Sequence, residues 1–111
     1  MQTSRSPRYI INRPLTAVVF WDETPIRKVH GRCHVLSERG LGASLADQLY
    51  VGEVVRIDMP PMRSLYATVR NTRGTDHGLE FLYLRDGQRQ VIRALCAAAD
   101  EAIPTWEGNR T

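Results

Sequence analysis

The sequence predicts a mainly β fold: a small, mostly antiparallel barrel of six strands with one C-terminal α-helix. Three observations lead there. Short runs rich in β-branched and aromatic residues recur between turn signals along most of the chain. Two of those runs, near residues 55 and 67, alternate apolar and polar side chains with a period of two, as a half-buried strand requires. After Asp86 the apolar period lengthens to that of a helix. With 111 residues and a hydrophobic fraction of 42%, the chain is one domain that can just close a core without metals or disulfides.

Taken in order, residues 1–13 are polar, basic and interrupted by Pro7, and are read as an extended arm. Residues 14–103 form the barrel and helix, and 104–111 a polar tail carrying Trp106. Thr16 to Trp21 is the first strand. Its imperfect alternation implies cover on both faces, or an outer face that carries Trp21. Asp22-Glu23-Thr24-Pro25 makes a turn, and Arg27 to Leu36 returns as the second strand. The polar stretch Ser37-Glu38-Arg39-Gly40 turns the chain into a third strand, Leu41 to Leu45. Ala46 to Gly52 is a connection that allows a helical turn. Glu53 to Met59 is the fourth strand, with Val55, Ile57 and Met59 opposite Arg56 and Asp58, and Pro60-Pro61 ends it because neither proline can donate to a ladder.

Leu65, Ala67 and Val69 alternate with Tyr66, Thr68 and Arg70 in a fifth strand. Arg73-Gly74-Thr75-Asp76 turns the chain, and His77 to Leu84 is the sixth. Val91, Ile92, Leu95, Cys96, Ala99 and Ile103 lie at helical spacing, with Asp86 the candidate N-cap and Pro104 the stop. The helix is expected to pack its Val91/Leu95 stripe on the sheet or to close one barrel opening. No internal repeat or low-complexity tract is present.

The formal charge of +3, from 15 basic and 12 acidic residues, favours anionic partners without demanding a polyanion. Arg5, Arg8 and Arg13 precede the first acid, Asp22, so the short basic arm is the anion-seeking part, although basic termini also occur without any ligand. Two cysteines, no secretion-type apolar segment and no run approaching the roughly 20 residues that span a bilayer predict a cytoplasmic protein with reduced thiols and no membrane insertion.

Several chemistries are not expected. His30, Cys33, His34 and Cys96 resemble a ligand list, but on an extended strand the two histidines stand roughly 13 Å apart and Cys33 faces away from both, so no metal is expected. Ser37 lacks a Gly-x-Ser-x-Gly elbow, and Asp22/Glu23 and Asp100/Glu101 sit where solvation explains them. Nothing requires an enzyme or a cofactor. The Ser37 turn is the candidate site: a hydroxyl and a glycine suit a compact anion-binding corner, and the same Ser-x-x-Gly pattern also builds ordinary turns. Arginine's planar fork pairs with phosphate bidentately and stacks on flat bases, so two arginines on the arm can clamp a nucleotide against that corner.

Arg5-Ser6-Pro7-Arg8-Tyr9, the Gly31–Leu45 stretch, Leu49-x-x-Gly52-Glu53-x-Val55, Ala67-x-Val69-Arg70 and His77-Gly78-Leu79-Glu80-Phe81, in that order, resemble the PilZ domain family from residue 4 to residue 96. The family's domains are bacterial receptors for the second messenger cyclic di-GMP, with an Arg-x-x-x-Arg arm followed by Asp/Asn-x-Ser-x-x-Gly on a barrel. Arg8 falls on the second arginine of the arm and Ser4 on the first, with Arg5 matching an extra arginine that often follows. Ser37 and Gly40 match the barrel motif, while Val35 stands where the family has Asp or Asn. Losing that polar contact to a guanine edge costs on the order of 1–3 kcal/mol, roughly tenfold to a hundredfold in affinity. His77 to Phe81 is read as architectural, with Gly78 permitting close approach and Phe81 filling core.

The resemblance implies a single-domain, non-enzymatic cyclic di-GMP receptor or adaptor in signal transduction. Arg5, Arg8 and Arg13 would contact phosphates and bases, Ser37 and Gly40 would form the corner, and the arm would fold over the ligand. Without an output domain, the effect is expected to pass through a partner protein. The alternative is a degenerate PilZ domain that binds no nucleotide and acts as a protein-interaction module through Trp21, Trp106 and the exposed side of the helix. Nucleic-acid binding is not expected, since only Tyr66 near Arg70 pairs an aromatic with a basic strand residue.

Overall fold

The computed structural model describes residues 7–101. Six strands follow one another: β1 (Tyr9–Trp21), β2 (Thr24–Leu36), β3 (Gly40–Leu45), β4 (Val54–Met59), β5 (Met62–Arg73) and β6 (Asp76–Leu82). The helix α1 (Asp86–Ala98) and a two-residue strand β7 (Asp100–Glu101) complete the order. Every pairing is antiparallel. The strands hydrogen-bond in the order β2-β3-β6-β5-β4-β1, and β1 pairs back onto β2, closing a six-stranded barrel. Among the described residues no helix is long and apolar enough to cross a membrane.

The alternation seen in the sequence sets which residues point inward. Val55, Ile57 and Met59 on β4 and Leu65, Ala67 and Val69 on β5 are buried, and they join Leu15, Ala17, Val19, Leu36, Leu41 and Leu79 in one core. On β1 the outer face is covered as well. Val18 is buried, and the Arg56 guanidinium of the neighbouring strand lies over the Phe20 ring at 5.7 Å from its centroid, while Trp21 is left 74% exposed.

Three elements differ from the sequence-based expectation. The first strand starts at Tyr9 rather than Thr16, so residues 9–13 belong to the barrel: Tyr9 and Ile10 pair with Leu36 and Val35 on one side and with Glu101 and Asp100 on the other. Basic, polar composition hid a strand whose apolar face is Tyr9 and Ile11, both packed on the core. The connection after β3 forms no helical turn. It is pinned by backbone bonds from Ala46 to His30 and from Gly52 to Val69, and it inserts Leu49, fully buried, into the core. In α1 the N-cap is Arg85, not Asp86. The Arg85 N–H donates to Gln88 Oε1 at 3.0 Å, and Asp86 sits in the first turn, where a carboxylate complements the helix dipole.

Gln88 also donates its amide to the carbonyls of Arg63 and Ser64, tying α1 to the β4–β5 turn. The helix buries Ile92 and Cys96 against the barrel, with Val91 and Leu95 partly buried beside them. It ends before the expected Ala99 to Ile103 turn, because Ala99 becomes extended and the chain pairs with β1 instead. Ile103, Pro104, Trp106 and the 104–111 tail lie outside the described residues.

Candidate functional site

On the outer face of β2, β3, β6 and β5 lies an open cleft of about 630 Å³. Two β-bulges build it. On β2 the register shifts between Cys33 and Val35, so Cys33 and Leu36 both point inward and His34 and Val35 are both turned toward the cleft. On β5 the shift between Val69 and Asn71 does the same for Arg70 and Asn71. Between these walls the floor has almost no side chains, because Gly42 of β3 pairs directly with Gly78 of β6. Strict period-two reading cannot foresee either bulge.

The candidate residues separate. Arg8, Ser37 and Gly40 line the cleft together, as does Val35. Arg13 does not: its guanidinium donates to the Pro60 carbonyl at 3.2 Å, at the turn between β4 and β5. Arg5 lies outside the described residues. Three further arginines that the sequence reading did not place among the site residues line the cleft: Arg39, Arg70 and Arg73. Four arginines thus face two carboxylates, Asp76 and Glu80, and Arg70 is paired with Glu80 at 3.4 Å. The signal available in the sequence was the residues next to the bulges, which no local pattern marks.

The Ser37 turn holds itself together. Its Oγ accepts the N–H groups of Arg39 at 3.1 Å and Gly40 at 3.2 Å, and the Ser37 N–H donates to the Gly40 carbonyl at 2.9 Å. The donors expected to hold an anion are therefore directed inward at the serine hydroxyl. Gly40 is required by close approach, since a Cβ there would stand 2.1 Å from the Leu79 carbonyl oxygen of β6. Glu38 reaches Arg93 of α1 at 3.4 Å, linking the turn to the helix.

The opposite rim is a hydrogen-bonded chain. Ser44 Oγ donates to Asp76 Oδ1 at 2.8 Å, which leaves its lone pairs to accept from His34 Nε2 at 3.0 Å. His77 faces inward from the floor strand. Its Nδ1–H donates to the Thr75 carbonyl at 2.7 Å and its Nε2 accepts the Leu49 N–H at 2.9 Å, so a buried neutral ring has both nitrogens satisfied. Behind Val35, burial pushes the Cys33 thiol up to about 12, with the neighbouring Cys96 adding to the shift. A thiol so raised contributes stability that is complete below its ordinary value of 9.0 and is lost as pH climbs through about 12.

The arrangement suits a flat, anionic molecule: guanidinium groups for phosphates, and a smooth glycine floor on which a planar ring can lie. The PilZ domain family model matches residues 2–98. The chain belongs to the PilZ domain family. PilZ domains are binding modules rather than enzymes, and are in general cyclic di-GMP receptors. Among solved structures, the chain is similar to the crystal structure of the PilZ domain of CeSA from a cellulose-synthesizing bacterium, at TM-score 0.63 and 18% identity, covering 83% of this chain and 96% of that one. That likeness concerns the fold. No curated protein matches the chain.

Proposed function

We propose that this PilZ domain binds cyclic di-GMP in the cleft and acts as a receptor that passes the signal to a partner protein. The observation that carries the reading is the meeting of Arg8, from the start of β1, with Arg39, Arg70 and Arg73 around the Gly42/Gly78 floor. In this reading the phosphates sit against guanidinium groups, one base lies on the glycine floor, and Arg5 and Arg8 close over the ligand. Ser37 and Gly40 act by shaping the wall, since their polar groups are engaged within the turn.

Isothermal titration with cyclic di-GMP at near-physiological salt, with GTP as control, tests this. Saturable binding in the micromolar range or tighter, weakening as salt rises, is expected. Arg8→Ala should abolish it with the circular dichroism spectrum unchanged, and Val35→Asp should strengthen it. Absence of binding overturns the receptor reading. The second reading, a domain that captures a partner without nucleotide, is favoured by one feature: Val35 presents only methyl groups where the ligand corner needs a polar contact.

A further inference from the structure

Most polar side chains around the cleft already have partners. Ser37 is engaged within its turn, His34, Ser44 and Asp76 form one chain, and Glu80 pairs with Arg70. Asn71 differs. Its carboxamide is exposed in the cleft wall beside Gly78, and among the described residues none of the side-chain hydrogen bonds includes it. The β5 bulge turns it outward, and it packs flat against Gly78, where an added Cβ would lie 2.7 Å from Asn71 Oδ1 and 3.0 Å from Nδ2. A side chain at Gly78 would have to displace the amide. Asn71 faces Val35 across the paired glycines, Val35 opposite Gly42 and Asn71 opposite Gly78.

We infer that Asn71 is the base-reading residue of this cleft, contacting the hydrogen-bonding edge of a purine that lies on the Gly42/Gly78 floor, the task Val35 cannot perform. The inference rests on the nucleotide reading above and adds the specificity of the site. A carboxamide carries one donor side and one acceptor side, and no hydrogen bond among the described residues fixes which way round it sits. By turning over, it pairs with guanine, through O6 and N1–H, or with adenine, through N1 and the 6-amino group. The wild-type cleft accordingly prefers guanine over adenine dinucleotides by less than about tenfold, whereas a carboxylate at position 71, which only accepts, matches guanine's N1–H and 2-amino donors and opposes adenine's N1.

The test is calorimetric titration of wild type, Asn71→Ala, Asn71→Asp and Gly78→Ala with cyclic di-GMP and cyclic di-AMP, each variant first checked by circular dichroism and thermal melting. Asn71→Ala should weaken both ligands about tenfold to a hundredfold, through the loss of a polar contact to the base. Gly78→Ala, which displaces the amide without removing it, should weaken both in the same direction. Asn71→Asp should raise the guanine-to-adenine ratio about tenfold or more. In the wild type, the Asn71 side-chain amide signals in ¹⁵N NMR should move with either ligand. Wild-type binding that survives Asn71→Ala unchanged overturns this inference and leaves the receptor reading standing. Wild-type binding of neither ligand overturns both.

Discussion

At the scale of single residues, the molecule uses a few polar side chains as fixed points of the backbone. His77 is the clearest. It joins the floor strand of the cleft to the connection that carries buried Leu49, by accepting the Leu49 N–H. His77→Phe keeps the ring volume and removes the acceptor, leaving a buried N–H unpaired, so a loss of about 1–3 kcal/mol is expected in urea unfolding with an unchanged native fold. A loss below a few tenths would mean that the N–H finds another partner. Sequence reading reached this stretch and named His77 to Phe81 architectural, with Gly78 as the point of close approach. What approaches Gly78 could not be read, because Asn71 reaches it only through a bulge on another strand. Ser37 and Gly40 were legible for the same local reason that they form a turn, and that reason also engages the donors an anion would need.

At the scale of elements, the β4 and β5 patterns were legible because one face of each is core and the other is not, so period two survives in the residue types. The early start of β1 was not, because its outward residues include Asn12 and its ladder depends on β7, some ninety positions later in the chain. The attachment of α1 separates burial from surface charge. Ile92 is fully buried, whereas the Glu38–Arg93 pair that joins helix and turn is half-exposed on both sides, at 51% and 61%. Ile92→Ala should therefore cost about 2–5 kcal/mol and Glu38→Ala less than about 1 kcal/mol, measured by the same denaturant titration. Equal effects would show that the ion pair, rather than the apolar contact, holds the helix in place.

At the scale of the whole molecule, closure is the governing fact. The β1 strand must pair with β2 next to it, with β4 some forty residues on, and with β7 near the other end of the described chain. Contacts so distant in sequence make loop-closure entropy the main barrier, and refolding is expected in milliseconds to seconds rather than microseconds, as a stopped-flow jump out of urea would record. Closure also places the cleft: only when β3 and β6 lie side by side do Gly42 and Gly78 meet between the two bulged walls.

Closure decides, too, how another protein can take hold. Where the barrel closes, each of its six strands has a hydrogen-bonded neighbour on both sides, whereas the stretch of β2 from Thr24 to His30 pairs with β1 alone. Around the closed part of the barrel a partner peptide, or a second copy of the chain, finds no strand edge to extend, and among the described residues edge-to-edge pairing is left mainly to the outer edge of β2 before Gly31. On the closed part, recognition has to be written in side chains, through the chemistry of particular surface residues, where one substitution can erase a contact that a shared backbone ladder would have tolerated.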